Sequence, residues 1–121
     1  MLLAEFDKAK ALLAGDAHAG VLLKTIPRLL AARPGLTLDA FKLPHHGSKK
    51  NVSLPLVQSI PARKYLFSTN GAQFKHPDAE AVSRVLIGNP ERKELWFNYR
   101  TVYNELWRDK ELVSAFDAVS R

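Results

Sequence analysis

KLPHHGSKKN, residues 42–51, closes an apolar run with Pro44 and then sets two histidines side by side ahead of Gly47 and Ser48. Upstream of it, Leu36, Leu38 and Ala40 alternate with polar Thr37 and Asp39, the period-two signature of a strand from Leu36 to Leu43. Pro44 has no backbone N–H to give a sheet ladder, so the strand stops there and the histidines stand in the turn that follows. The fold class depends on what lies on either side of that turn.

On the N-terminal side, Leu2 to Phe6 and Lys10 to Ala14 read as two short strands joined at Asp7-Lys8, so the chain opens in mid-sheet. Gly15-Asp16 closes the second strand. Ala19 to Arg33 then carries Val21, Leu22, Ile26, Leu29 and Leu30 at helical spacing, with Pro27 either kinking the helix or marking the first turn of its ordered part. Arg33-Pro34-Gly35 ends it. On the C-terminal side, Ser53 is placed to cap a short helix through Ile60, with Pro55 in its first turn. Lys64 to Thr69 reads as a strand ending at Asn70-Gly71, and Asp78 to Ile87 as a helix whose early acids, Asp78 and Glu80, suit its dipole. After Gly88-Asn89-Pro90 comes a last short strand, Glu94 to Asn98. Leu106, Trp107, Leu112, Val113 and Phe116 give Asn104 to Val119 a patchy amphipathic pattern, read as a helical extension over residues 99–121. Strands alternating with helices from residue 10 onward define an α/β fold with parallel strands after each crossover.

At 121 residues the chain is one domain or part of one, and 46% apolar with 25% charged residues is the composition of a chain that folds. The absence of cysteine excludes disulfides and thiolate metal sites, leaving imidazole and carboxylate as the only metal donors. Eighteen basic residues against twelve acidic ones give +6, but scattered, with no basic run of a nucleic-acid tail. No apolar run approaches the ~20 residues that span a bilayer. Met1 to Ala4 is followed at once by Glu5 and Asp7, unlike a signal peptide, so a cytoplasmic protein is expected.

Three predicted strands end in turns that carry chemistry: Ala14 to His18, Pro44 to Ser48, and Asn70-Gly71 leading to Lys75-His76-Pro77-Asp78. All four histidines, His18, His45, His46 and His76, fall in these turns. Parallel strands bring such turns to one rim. Imidazole nitrogens with one carboxylate are what a borderline divalent cation accepts without sulfur, Gly47 admits close backbone approach, and Ser48 is placed to orient a ring. Taken singly, each turn also has an ordinary reading: an aspartate at a helix start, exposed polar histidines, a loop end.

ALLAGDAH at 11–18, FKLPHHGSKKNV at 41–52, and then KYLFSTNG and KHPDAEAVSRVL together resemble the C-terminal half of the metallo-β-lactamase fold superfamily. The likeness is to its His-His-Gly-Ser hydrolases, among them the nuclease-like domain of competence DNA-uptake channel proteins, and runs from about Leu2 to Asn98. The resemblance implies half of an αββα sandwich, with one mixed sheet and helices mainly on one face, and a site for one or two zinc ions. It implies Asp16 as a metal-bridging carboxylate and His46 as a metal ligand, the reverse assignment of His45 and His46 staying open. It gives His45 and His76 substrate-side catalytic roles, and leaves His18 the weakest claim. The implied chemistry is hydrolysis of a small-molecule or phosphodiester substrate.

The superfamily's His-x-His-x-Asp-His signature is absent from these residues, as is the histidine expected before Asp16. What remains falls short of the usual three protein ligands of a catalytic zinc. Residues 1–121 are therefore expected to be a partial domain, inactive alone, whose partner is the N-terminal half and whose uncovered sheet face drives homo-oligomerisation. Two other readings compete: a small nucleic-acid-binding module using Lys42, Lys49, Lys50, Arg63 and Lys64, and a partner-binding structural domain. Trp96, Phe97, Tyr99, Tyr103 and Trp107 would line an interface or, as is more usual, pack a core.

Overall fold

The computed structural model describes residues 1–121 as an α/β unit with one six-stranded mixed sheet and four helices. In chain order the elements are β1 (Leu2–Phe6), β2 (Ala9–Leu13), α1 (Ala19–Ala32), β3 (Leu38–Lys42), a 3-10 turn (Pro44–Gly47), α2 (Leu54–Ser59) and β4 (Ala62–Phe67). They continue with α3 (Ala79–Gly88), β5 (Lys93–Phe97), a second 3-10 turn (Glu105–Arg108), α4 (Lys110–Ser114) and β6 (Ala118–Ser120). The strands lie in the order β1-β2-β3-β4-β5-β6; β1 and β2 are antiparallel, and every later neighbour pair is parallel.

Sequential parallel strands joined by right-handed crossovers put every connecting helix on the same side of the sheet. Burial agrees. The registered row Leu12, Phe41, Tyr65 and Leu95 is fully buried, and a single apolar cluster joins it to Leu22 and Ile26 of α1, Leu56 and Val57 of α2, Val82 and Val85 of α3, and Val113 of α4. Burying each such side chain contributes about 1.5–3 kcal/mol. The row one residue along, Leu2, Leu13, Lys42, Leu66 and Trp96, faces the other way, where no helix covers it. Trp96 is 43% exposed and Leu2 60%, with Phe6 on the edge strand at 85%.

Local signals explain most boundaries. Ser53 caps α2 by accepting from the Leu56 N–H at 3.2 Å, with Pro55 inside the first turn. Helix α1 runs unbroken through Pro27, which stands exposed while Leu22 and Ile26 face the sheet. Strand β4 begins at Ala62 rather than Lys64, because Ala62 pairs with Leu38 of β3; its N–H donates to the Tyr65 hydroxyl at 3.2 Å, and Asn89 Nδ2 donates to the same oxygen at 3.1 Å.

The C-terminal segment departs from the expected helical extension. Asp109 Oδ1 accepts from the N–H groups of Glu111 and Leu112, starting α4 afresh after the 3-10 turn. Asp117 turns the chain at φ +55°, and β6 then adds a sixth strand parallel to β5. Lys93 secures this return: its buried ammonium donates to the Glu91 carbonyl at 3.1 Å and the Phe116 carbonyl at 2.6 Å. The aromatic residues divide between roles. Trp107 is buried, Phe97 stacks on Phe67 at 4.8 Å between ring centroids, and Trp96 and Tyr99 stay exposed. No helix is long and apolar enough to cross a membrane.

Candidate functional site

All three histidine-bearing turns lie at the C-terminal ends of β2, β3 and β4, where parallel strands deliver their loops to one rim. His45, His46 and Gly47 follow one another in the left-handed region, at φ +44°, +58° and +87°. For a side chain with a Cβ that region costs about 1–2 kcal/mol per residue. Two such residues in succession persist only where the surroundings over-determine them, a form of strain concentrated at functional sites.

The surroundings supply the constraint. The His45 N–H donates to the Gly15 carbonyl at 2.9 Å, tying the β3 turn to the β2 turn. The Asp78 N–H donates to the Gly47 carbonyl at 3.0 Å, and Asp78 Oδ2 accepts from the Lys49 N–H at 2.7 Å, tying it to the start of α3. Arg84 of α3 donates to the carbonyls of Lys49 at 2.7 Å and Val52 at 2.9 Å. At Gly47 a Cβ would lie 2.9 Å from both Phe67 Cδ1 and Pro77 Cβ, so this position has no room for a side chain.

Each ring of the pair is held through Nδ1. His46 Nδ1 is 2.6 Å from the Ser68 carbonyl, which can only accept, so Nδ1 carries the proton. His45 Nδ1 is 3.2 Å from Asn51 Oδ1, and Asn51 Nδ2 donates in turn to the Ala17 carbonyl at 3.1 Å, which fixes the amide orientation. A neutral imidazole anchored this way keeps its lone pair on Nε2, the presentation found in metal-ligating histidines. Ser48 does not orient a ring as the sequence suggested; its hydroxyl accepts from the Lys50 N–H at 3.3 Å.

His76 joins them. Its ring lies 5.4 Å from that of His45, and Phe74 sits 5.7 Å from His45 and 5.9 Å from His76, a contact the sequence did not single out. His76 Nδ1 is buried without a hydrogen bond; the nearest acid, Asp78 Oδ1, is 3.5 Å away. His46 and His76 line one cavity of about 180 Å³ with Ser68, Thr69, Asn70, Gln73 and Phe74. Asp16 and His18 stand apart in character. Both are exposed; Asp16 makes no side-chain hydrogen bond, and His18 caps α1 only through its backbone, its carbonyl accepting from Val21 and Leu22 N–H.

The donor set fits zinc in kind, and His45 and His46 leave Nε2 without a hydrogen bond, but it does not fit in number. No three imidazole or carboxylate groups converge as a cage, and a catalytic zinc ordinarily takes three protein ligands. The chain by itself therefore does not form a closed metal site. The lysines and arginine of the nucleic-acid reading are dispersed: Lys42 and Lys64 on the uncovered face, Lys49 and Lys50 in the histidine turn, Arg63 at the start of β4. Comparison with protein families, curated proteins and solved structures finds no match to this chain.

Proposed function

We propose that this chain is the C-terminal portion of a zinc-dependent hydrolase of the metallo-β-lactamase kind and contributes one side of a dinuclear site. One observation carries the reading: adjacent histidines held in left-handed backbone at a strand's C-terminal end, each anchored through Nδ1 so that Nε2 is left to coordinate. His46 and Asp16 are the chain's metal donors. When bound, zinc would lower the pKa of a water and polarise the group under attack. His45 and His76 do the rest from this chain: with rings 5.4 Å apart, His76 in the cavity wall and His45 beside it, they act on the substrate side and hold or move a proton at their ring nitrogens. The remaining ligands come from an N-terminal half whose sheet covers the Leu13–Leu66–Trp96 face. Without it the chain is inactive and self-associates through that face; joined to it, the complete domain is a cytoplasmic hydrolase of a small molecule or phosphodiester.

Zinc titration of the chain, followed through histidine ring signals, tests this. The expected result is weak binding that moves His45 and His46 resonances and is lost in His46→Ala. Binding that leaves those rings unmoved, or that His46→Ala does not weaken, would overturn the proposal.

A further inference from the structure

A second concavity, of about 260 Å³, opens beside the ends of β5 and β6 and is lined by Phe97, Tyr99, Arg100, Asn104, Arg108, Lys110, Ser120 and Arg121. Four of its side chains are cationic and none is a carboxylate. Arg121 already faces Glu94, at 3.9 Å, but Arg100, Arg108 and Lys110 take part in no ion pair and no side-chain hydrogen bond. The acid nearest in sequence, Asp109, is turned away with Oδ1 capping α4. A contrast sharpens the point: on the opposite rim, Arg63, Lys64, Arg92 and Lys93 also share a concavity, yet there Glu91 and Glu94 stand among them.

Arg100, Arg108 and Lys110, exposed on one hollow and without an ion-pair partner, repel one another, and a multiply charged anion relieves that repulsion. Guanidinium forks match phosphate oxygens in pairs, and Ser120 adds a neutral polar group at the wall; Asn104 instead braces the loop that carries Arg100, its Nδ2 donating to the Tyr99 carbonyl at 2.8 Å and its Oδ1 accepting from the Thr101 N–H at 3.2 Å. We propose that this hollow binds a phosphate group, as the free anion or as the phosphate of an organic ester. It lies on the same rim as the histidines: the N–H of Thr69, in their cavity, donates to Asn98 Oδ1 at 2.8 Å, and Tyr103 packs over Gly71. The site does not depend on the hydrolase reading.

Titration of the 121-residue chain with inorganic phosphate at constant ionic strength, followed by backbone amide shifts, tests the proposal. Saturable shifts are expected at Arg100, Asn104, Arg108 and Ser120. The paired substitution Arg100→Ala and Arg108→Ala, at exposed positions, is expected to raise Kd about tenfold or more, the loss of two charge-assisted contacts. Arg63→Ala with Lys64→Ala should leave it unchanged. A nucleoside monophosphate separates the two sources: tighter binding with shifts at Phe97 and Tyr99 assigns the ester, and equal binding assigns the free anion. Absence of saturable shifts in the millimolar range, or unaltered binding by the Arg100/Arg108 variant, overturns the proposal.

Discussion

Replacing Gly47 by alanine probes how firmly the histidine turn is clamped. At φ +87° any Cβ carries backbone strain of about 1–2 kcal/mol. This Cβ would also sit 2.9 Å from Phe67 Cδ1 and from Pro77 Cβ, and Phe67 is a buried core ring. Forcing a methyl into packed surroundings costs about 1–3 kcal/mol more, so Gly47→Ala should lose about 2–5 kcal/mol. Gly15→Ala is the internal control: its φ is +60°, but no atom lies within 4 Å of its Cβ, leaving the backbone cost alone. Urea unfolding reads the difference. At a slope of about 2 kcal/mol per molar, Gly47→Ala should lower the midpoint by about 1–2.5 M and Gly15→Ala by about 0.5–1 M. His45, His46 and His76 ring signals should move in the first variant and hold in the second. Equal midpoints for the two would refute the reasoning, because they would mean that Phe67 and Pro77 do not press on the turn.

Two other outcomes follow from the same structure. Burial pushes the Lys93 ammonium below its ordinary pKa, with Asp117 opposing weakly. A lysine whose folded pKa is depressed leaves the unfolded chain binding more protons, so its cost to stability is relieved as pH rises from the folded value past the ordinary one, about 10.4. The unfolding midpoint of the natural chain should therefore climb over that alkaline window relative to Lys93→Met, and a constant difference between the two would contradict it. Sedimentation should find concentration-dependent self-association that weakens in Trp96→Glu on the uncovered sheet face; a clean monomer at high concentration would remove that face from the account.

Much of this architecture was legible from residue pattern alone, because its signals are local. Ser53, Gly88-Asn89-Pro90 and the alternation of Leu36 to Ala40 mark boundaries by their own backbone chemistry, and the structure keeps them within a residue or two. The C-terminal segment was misread for the opposite reason. Ala118-Val119-Ser120 is too short to display alternation, and becomes a strand only because β5 offers it a ladder and Lys93 holds the preceding carbonyls. At the site, the gathering of His45, His46 and His76 followed from counting turns at strand ends. The left-handed histidine backbone, the Asn51 and Ser68 anchors and the proximity of Phe74 did not, since each depends on contacts between distant segments. Asp16 and His18 stand exposed and make no side-chain hydrogen bond, so no contact within this chain separates a ligand from a surface residue there.

The uninterrupted strand order from β1 to β6 has a consequence for ligand binding. In open α/β sheets a crevice is generated where the strand order reverses and successive crossovers diverge to opposite faces. Here the winding never reverses, so neighbouring loops fan out side by side and the backbone creates no cleft between them. Any depth at this rim has to be assembled from side chains or lent by another body, which accounts for a histidine cavity of only about 180 Å³.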